Sequence, residues 1–394
     1  MDKYIQLLTQ HFGKTLHSDF DNDIMGVEMF LFKLNANEFY NAIVLLLDND
    51  FPKECYHHLI YASIRLNDIK AVKILLSYGA YLDAFDFSSA VIWCDLSLLE
   101  LLLESESNLN PESDLSLALF TAVENGYYDK VFKLLQYDIP VECYKLPLLT
   151  GIKYNHYEIV KLLIESGVNI NFGDEKNSLS HIYCNLNIGV DTRKNLNIGV
   201  DTSKIEKNLP LNIAISLGNN DMVNLLLKYG AIIDSSVNQG FIIACQLNHF
   251  NTIKLVLDAG YDIINDDMAL GICVACDNVD VIKLFMGYGV TIDHDIDWAF
   301  SSDTHQNYEY ECLTLLFDHG YVLKFETANI IIQKCIDNNS YSSLDLILCH
   351  METNGMATPS LLKTKYEDPE LKKICGNHSI VLRKYSQQSC EYLP

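Results

Sequence analysis

Long apolar runs, basic charge and clustered cysteine are all scarce in this chain of 394 residues. The longest unbroken apolar stretch, Ala42 to Leu47, has six residues, whereas a bilayer-spanning helix needs roughly 20. Asp2, Lys3 and Gln6 interrupt the start, so no secretory signal is read there. Twelve cysteines spread along the chain fall far below the density of a disulfide scaffold. These absences point to a soluble protein of a reducing compartment, intracellular and cytoplasmic, not secreted. Basic residues number 28 against 52 acidic ones, for a formal charge of −24. A surface of that sign repels nucleic acid and anionic membrane, so neither is expected as a partner. Alanine is sparse too, at 18 residues beside 37 isoleucines and 33 asparagines. That skew reads as AT-rich coding and carries no mechanism.

What is present argues for a folded chain: 49% of residues are apolar and 20% charged, which excludes general disorder. At about 150 residues per domain, the length allows two or three domains or one long array. Internal repetition decides between them. Val160-Lys-Leu-Leu-Ile-Glu-Ser-Gly167 returns as Val223-Asn-Leu-Leu-Leu-Lys-Tyr-Gly230, with related copies at 72–79, 253–260 and 282–289. Followed through weaker copies, the glycine position falls at 50, 79, 106, 138, 167, 230, 260, 289, 320 and 351. All but one interval lie near 30, so ten units cover Ile24 to Met351. One column reads Ile43, Val72, Leu99, Val131, Val160, Val223, Ile253, Ile282, Leu313 and Leu344. Apolar pairs such as Leu226-Leu227 follow it at i+3 and i+4, the buried stripe of a short helix. Nine residues earlier stands a small residue (Ser63, Ala90, Ala122, Gly151, Ala214, Ala244, Cys273), preceded at i−3 by a large one such as Ile60, Phe87 or Phe241. That is a first helix packed closely on its partner. Each unit is therefore two short antiparallel helices, held by stacking because neither is stable alone.

Here the chain resembles the ankyrin-repeat family. Asn155 to Asn171 and Gly218 to Ala231 are similar to that family's second helix and turn, and Leu209-Pro210-Leu211-Asn212-Ile213-Ala214 to its Thr-Pro-Leu-His-x-Ala start. The resemblance covers about four fifths of the chain. It implies an all-α, ankyrin-repeat solenoid of about ten helix-turn-helix units. The family's Thr and His are absent throughout, and the period is short of the usual 33 or so residues. Residues lost from the connector predict short connectors and little or no β-hairpin. Degenerate repeats of this kind look like the arrays encoded by large DNA viruses of amoebae.

The expected domains are an N-terminal capping segment at 1–37, with Met29, Phe30, Phe32 and Leu34 as its buried side, a repeat array at 38–351, and a C-terminal cap and tail at 352–394. An insertion at about 173–207 contains a tandem duplication, 185–194 then 195–204, with nine of ten positions identical. It reads as slippage tolerated in a surface loop, as a protruding arm, or as an incomplete unit with a first helix near 178–184. After Met351 the pattern dissolves, and residues 356–394 carry net +2 against −26 for the rest.

Chemistry is thinly represented. Cys273-Val-Ala-Cys276 is the only CxxC, it lies within a predicted helix, and no second pair or histidine follows at zinc spacing, so packing explains it. Asp293-His-Asp295-Ile-Asp297 starts like a calcium loop but has Trp298 for the glycine and Thr304 for the final Glu. His57-His58 cannot share one helix face, and His156 suits a helix cap. Gly287-Tyr-Gly289 lacks the third glycine of a dinucleotide site, and no GxSxG, HExxH or phosphate loop occurs. Carboxylates and amides recur in one turn-forming column, at Glu54, Asp83, Asn110, Glu142, Asn171, Asp234 and Asp293. No catalytic residue, cofactor or metal is expected. The reading is a non-catalytic, monomeric scaffold that binds a partner protein on the array's curved face through connector tips such as Phe85, Asp86, Phe172, Asp174 and Ser235. The alternative is a substrate-recruiting adaptor for a ubiquitin ligase, docked through the tail.

Overall fold

The computed structural model describes residues 1–14, 24–105, 110–173, 209–234, 237–264, 266–292, 296–301, 310–359, 361–364 and 368–384. The tandem duplication, Asp174, Ser235 and the calcium-like residues 293–295 lie outside them. The chain divides into two compact units, Met1–Asn169 and Ile170–Pro394.

In the first unit, α1 (Asp2–Phe12) precedes five helix pairs: α2 and α3 (Ile24–Leu31, Ala36–Asp48), α4 and α5 (Tyr56–Arg65, Ile69–Ser77), α6 and α7 (Ala84–Trp93, Leu96–Ser105), α8 and α9 (Ser116–Glu124, Tyr128–Leu134), α10 and α11 (Lys145–Lys153, Tyr157–Glu165). First helices pack side by side in the order α2, α4, α6, α8, α10, while α3 lies on α5 and α9 on both α7 and α11. Helix α1 rests on α2 and α3. Phe30 and Leu34 are buried as expected, whereas Met29 is exposed and Phe32 half-buried.

The second unit holds five further pairs: α12 and α13 (Leu209–Ser216, Asn220–Lys228), α14 and α15 (Asn238–Gln246, Phe250–Asp258), α16 and α17 (Asp267–Ala275, Val279–Gly287), α18 and α19 (Trp298–Ser301, Tyr310–Asp318), α20 and α21 (Phe325–Asp337, Tyr341–Thr353). Its first helices again form one row and its second helices another. The fold is an all-α array of stacked helix pairs. The described connectors contain 3-10 turns (Lys53–Cys55, Val141–Tyr144) and a π-turn (Pro111–Leu115), with no strand among their described residues.

The repeat columns are the core. Every member of the Ile43-to-Leu344 column is at most 1% exposed. The small residues at Ser63, Ala90, Ala122, Ala214, Ala244 and Cys273 are 0% exposed, which places Cys273 in helix packing. At Gly151, a Cβ would come within 2.8 Å of the Val160 side chain on the partner helix. Burying such apolar surface, at roughly 25 cal/mol per Å², is what holds these short helices.

Two left-handed positions punctuate the pairs. One follows the second helix, at Asp50, Gly79, Gly167, Gly230, Gly260, Gly289 and Gly320. The other lies between the helices, at Asn67, Gly126, Asn155, Gly218, Asn248, Asp277 and Asn339, with φ from 52° to 71°. Asn and Asp tolerate this region better than other side-chain-bearing residues, so part of the asparagine excess has a backbone use. The last pair departs from the sequence ruler. Met351 is buried inside α21, which continues to Thr353 and turns at Gly355.

The chain beyond Met351 is also more ordered than its sequence suggests. Helix α22 (Pro369–Asn377) is capped by Asp368, which accepts from the amides of Glu370 and Leu371, and it packs on α21. Strands β1 (Leu361–Thr364) and β2 (Val381–Lys384) flank it and pair in parallel, Leu361 opposite Val381. This crossover is not a connector hairpin.

Candidate protein-interaction surface

Each first helix spends its buried face on neighbouring helices, so its remaining face is free for other use. On α4, α6 and α8 that face is unusually apolar. Phe85 is 59% exposed, Trp93 48%, and Ile92 and Leu117 42% each. The exposed Arg65 lies over three rings: its guanidinium carbon is 4.7 Å from the Trp93 ring centroid, 5.1 Å from Phe32 and 5.9 Å from Tyr61. Tyr61 and Phe85 are 5.6 Å apart. One patch thus spans three adjacent helix pairs, with a weakly hydrated cation seated on aromatic faces.

The backbone beneath this patch is pinned at both ends of α6. The Asp83 carboxylate accepts from the Phe85 and Asp86 amides at 2.8 and 2.9 Å, and Asp86 Oδ2 accepts from the Asp83 amide at 3.2 Å. This reciprocal cap fixes the first turn and hence Phe85. Burial pushes the Asp86 carboxyl up to about 7, and the neighbouring Asp83 charge adds to the shift. At the other end, Lys130 from α9 donates to the Val91 and Cys94 carbonyls, placing a cation at the helix C-terminus. Burial lowers its pKa and pushes the Cys94 thiol up to about 12.

Of the five residues expected at connector tips, Phe85 alone among those described is an exposed member of this patch. Asp86 is 4% exposed and serves the helix cap, so its place among surface contacts is corrected. Phe172 is 6% exposed, and its carbonyl accepts from the Leu209 amide, so it too belongs to the packing. Sequence reasoning missed Arg65, Trp93, Ile92 and Leu117. A signal was available: Phe85 and Leu117 hold the same position on successive first helices, fourteen residues before the core column.

Two of the histidines singled out in the sequence serve packing between pairs. His58 Nδ1 bonds Glu28 on the neighbouring first helix. His156 does not cap its own helix; its Nε2 is 3.3 Å from the Glu124 carbonyl of the preceding pair, against Gly126. Among the described residues, no helix is long and apolar enough to cross a membrane.

A row of stacked helix pairs displaying an aromatic and cationic face defines a helical repeat protein. Comparisons with known proteins sharpen the class. Residues 87–174 and 181–267 match the family model of ankyrin repeats (three copies). The ankyrin repeat protein L371 of Acanthamoeba polyphaga mimivirus is 23% identical over 357 residues, which is 83% of this chain. The chain spans only 38% of that relative's length. Among solved structures, the human ASB11 ankyrin repeat domain matches 59% of this chain and 96% of its own, at 17% identity and a TM-score of 0.41. The ankyrin repeat domain of Bcl-3, a member of the IkappaB protein family, matches 54% and 92%, at 19% identity and 0.40. Two stretches of the chain thus match ankyrin repeats, and the chain is similar to a viral ankyrin-repeat protein. Ankyrin-repeat domains generally act as protein–protein interaction modules.

Proposed function

We propose that this chain is a non-catalytic scaffold of a virus that infects amoebae, and that it captures a host or viral protein on the first-helix face of its Met1–Asn169 unit. The observation that carries the reading is the exposure of Phe85, Ile92, Trp93 and Leu117 on successive first helices, with Arg65 seated on Trp93. Trp and Arg dominate the energetics of interfaces, and a frame already ordered loses little entropy on docking. A partner segment with apolar side chains and a carboxylate suits the patch, the carboxylate pairing with Arg65 as water leaves. The partner is held by the scaffold as a monomer.

The test is quantitative affinity capture of three forms from infected cells: the full chain, a Phe85→Ala/Trp93→Ala variant, and a chain lacking 356–394. Loss of the same partners in the double variant alone, by about 10-fold or more, supports the scaffold reading. If ligase components appear and disappear with the tail deletion, the adaptor reading takes its place. Capture unaffected by the double variant removes this face from the proposal.

A further inference from the structure

Asp345, Cys349 and Glu352 stand at i, i+4 and i+7 of α21, so one face of that helix presents all three. His378, in the turn after α22, reaches back to this face with only 5% of its side chain exposed. Its Nδ1 lies 2.9 Å from Glu352 Oε1 and its Nε2 lies 3.1 Å from Asp345 Oδ1. One ligating atom from each of Asp345, Cys349 and His378 falls within 4.8 Å of the others.

We propose that Asp345, Cys349 and His378 bind a divalent transition metal of the zinc class, with water in a fourth position and Glu352 orienting the histidine. With metal bound, Nδ1–H donates to the Glu352 carboxylate and the Nε2 lone pair faces the Asp345 side. This is the arrangement by which a carboxylate aims a metal-binding imidazole. Tetrahedral zinc, with bonds of about 2.0 to 2.3 Å, holds its ligand atoms roughly 3.3 to 3.8 Å apart. The Asp345–His378 pair, at 3.1 Å, is already near that spacing, and Cys349, within 4.8 Å of both, is exposed, as is 47% of the Asp345 side chain, so both have room to adjust. His378 is already fixed. A thiolate, an imidazole and one carboxylate select zinc or cobalt over calcium and magnesium, which demand oxygen ligands. The thiol proton passes to solvent as the metal–sulfur bond forms. The site would fasten α22 to α21 and so close the end of the last helix pair.

Neither ligand spacing nor order follows the CxxC patterns by which zinc sites are recognised in sequence, because the histidine arrives 29 positions after the cysteine. Reduced, chelator-treated full chain titrated with Co²⁺ tests the inference. A thiolate-to-cobalt charge-transfer band should saturate at one equivalent, vanish in Cys349→Ser and be displaced by Zn²⁺. Glu352→Gln should weaken cobalt binding about 10- to 100-fold without abolishing it. Cys349 is on the surface, so circular dichroism of Cys349→Ser should match the parent and keep the result readable. Absence of the band at one equivalent, or its persistence in Cys349→Ser, overturns the site.

Discussion

Two carboxylates three residues apart meet at the start of α6, and the fold treats them differently. Asp83 caps the helix from the surface side, while Asp86 turns inward to the Asp83 amide and is nearly covered. Burial raises the Asp86 pKa from 3.8 to about 7. A carboxyl held higher in the folded than in the unfolded chain contributes stability that is full below about pH 4. That contribution fades as pH rises towards 7, because the folded state must then give up a proton it prefers to keep. Asp86→Asn accepts the same amide bond with no charge to bury. The variant should match the parent near pH 4 and exceed it at pH 8 by on the order of 2 kcal/mol. Urea unfolding of both proteins at the two pH values checks this, and an equal difference at both would remove the burial account. The sequence showed an acidic residue near a turn, but whether its side chain points out or in depends on the neighbouring pair. Asp86 and Phe172 were misplaced for that reason.

At the scale of the helix pair, the turn between helices is locked by the next pair's side chain. His249 lies against Gly218, where a Cβ would come within 2.7 Å of the imidazole, and burial lowers the His249 pKa. Gly218 also has φ 68°. Gly167 is left-handed too, at φ 96°, but a Cβ there would meet nothing within 4 Å. Gly167→Ala should therefore cost only backbone strain, about 1 kcal/mol, whereas Gly218→Ala adds a clash with a ring and should cost about 2 to 3. Thermal melts that rank them equally would count against the ring contact. The helix pairs themselves were legible because buried columns repeat at fixed spacing, and Val72, Val160 and Val223 all lie at 0% exposure. The second left-handed column was not, since Asn67, Asn155 and Asn248 vary with glycine and aspartate and look like coding bias. Likewise α22 belongs to no repeat, so periodicity could not announce it, although Asp368-Pro369 is a plain helix start.

Over the whole molecule, stability should follow the linear logic of stacked pairs, in which each contacts only its neighbours. Leu226 on α13 is fully buried, and an aspartate there would be an unpaired charge with no donor supplied by the packing. Leu226→Asp should cost roughly 3 to 5 kcal/mol locally. Because α13 packs on α15 and α12 on α14, the loss should pass first to the pair at 238–258. Hydrogen exchange read peptide by peptide follows this directly: protection should fall most in 209–228, less in 238–258, and least in α1 to α5 of the other unit. The exposed apolar face was only partly legible in sequence for a related reason. Its residues are set by which side of the first helix the neighbours leave uncovered, and the sequence pointed to Phe85 but not to Arg65, Ile92, Trp93 or Leu117 as exposed. A helix row that keeps its protection at 24–124 while 209–228 opens would leave that face intact, so Leu226→Asp should still bind any partner held through Phe85 and Trp93. Uniform loss of protection along the chain would instead mean that the array unfolds as one cooperative body, and binding should then fall with it.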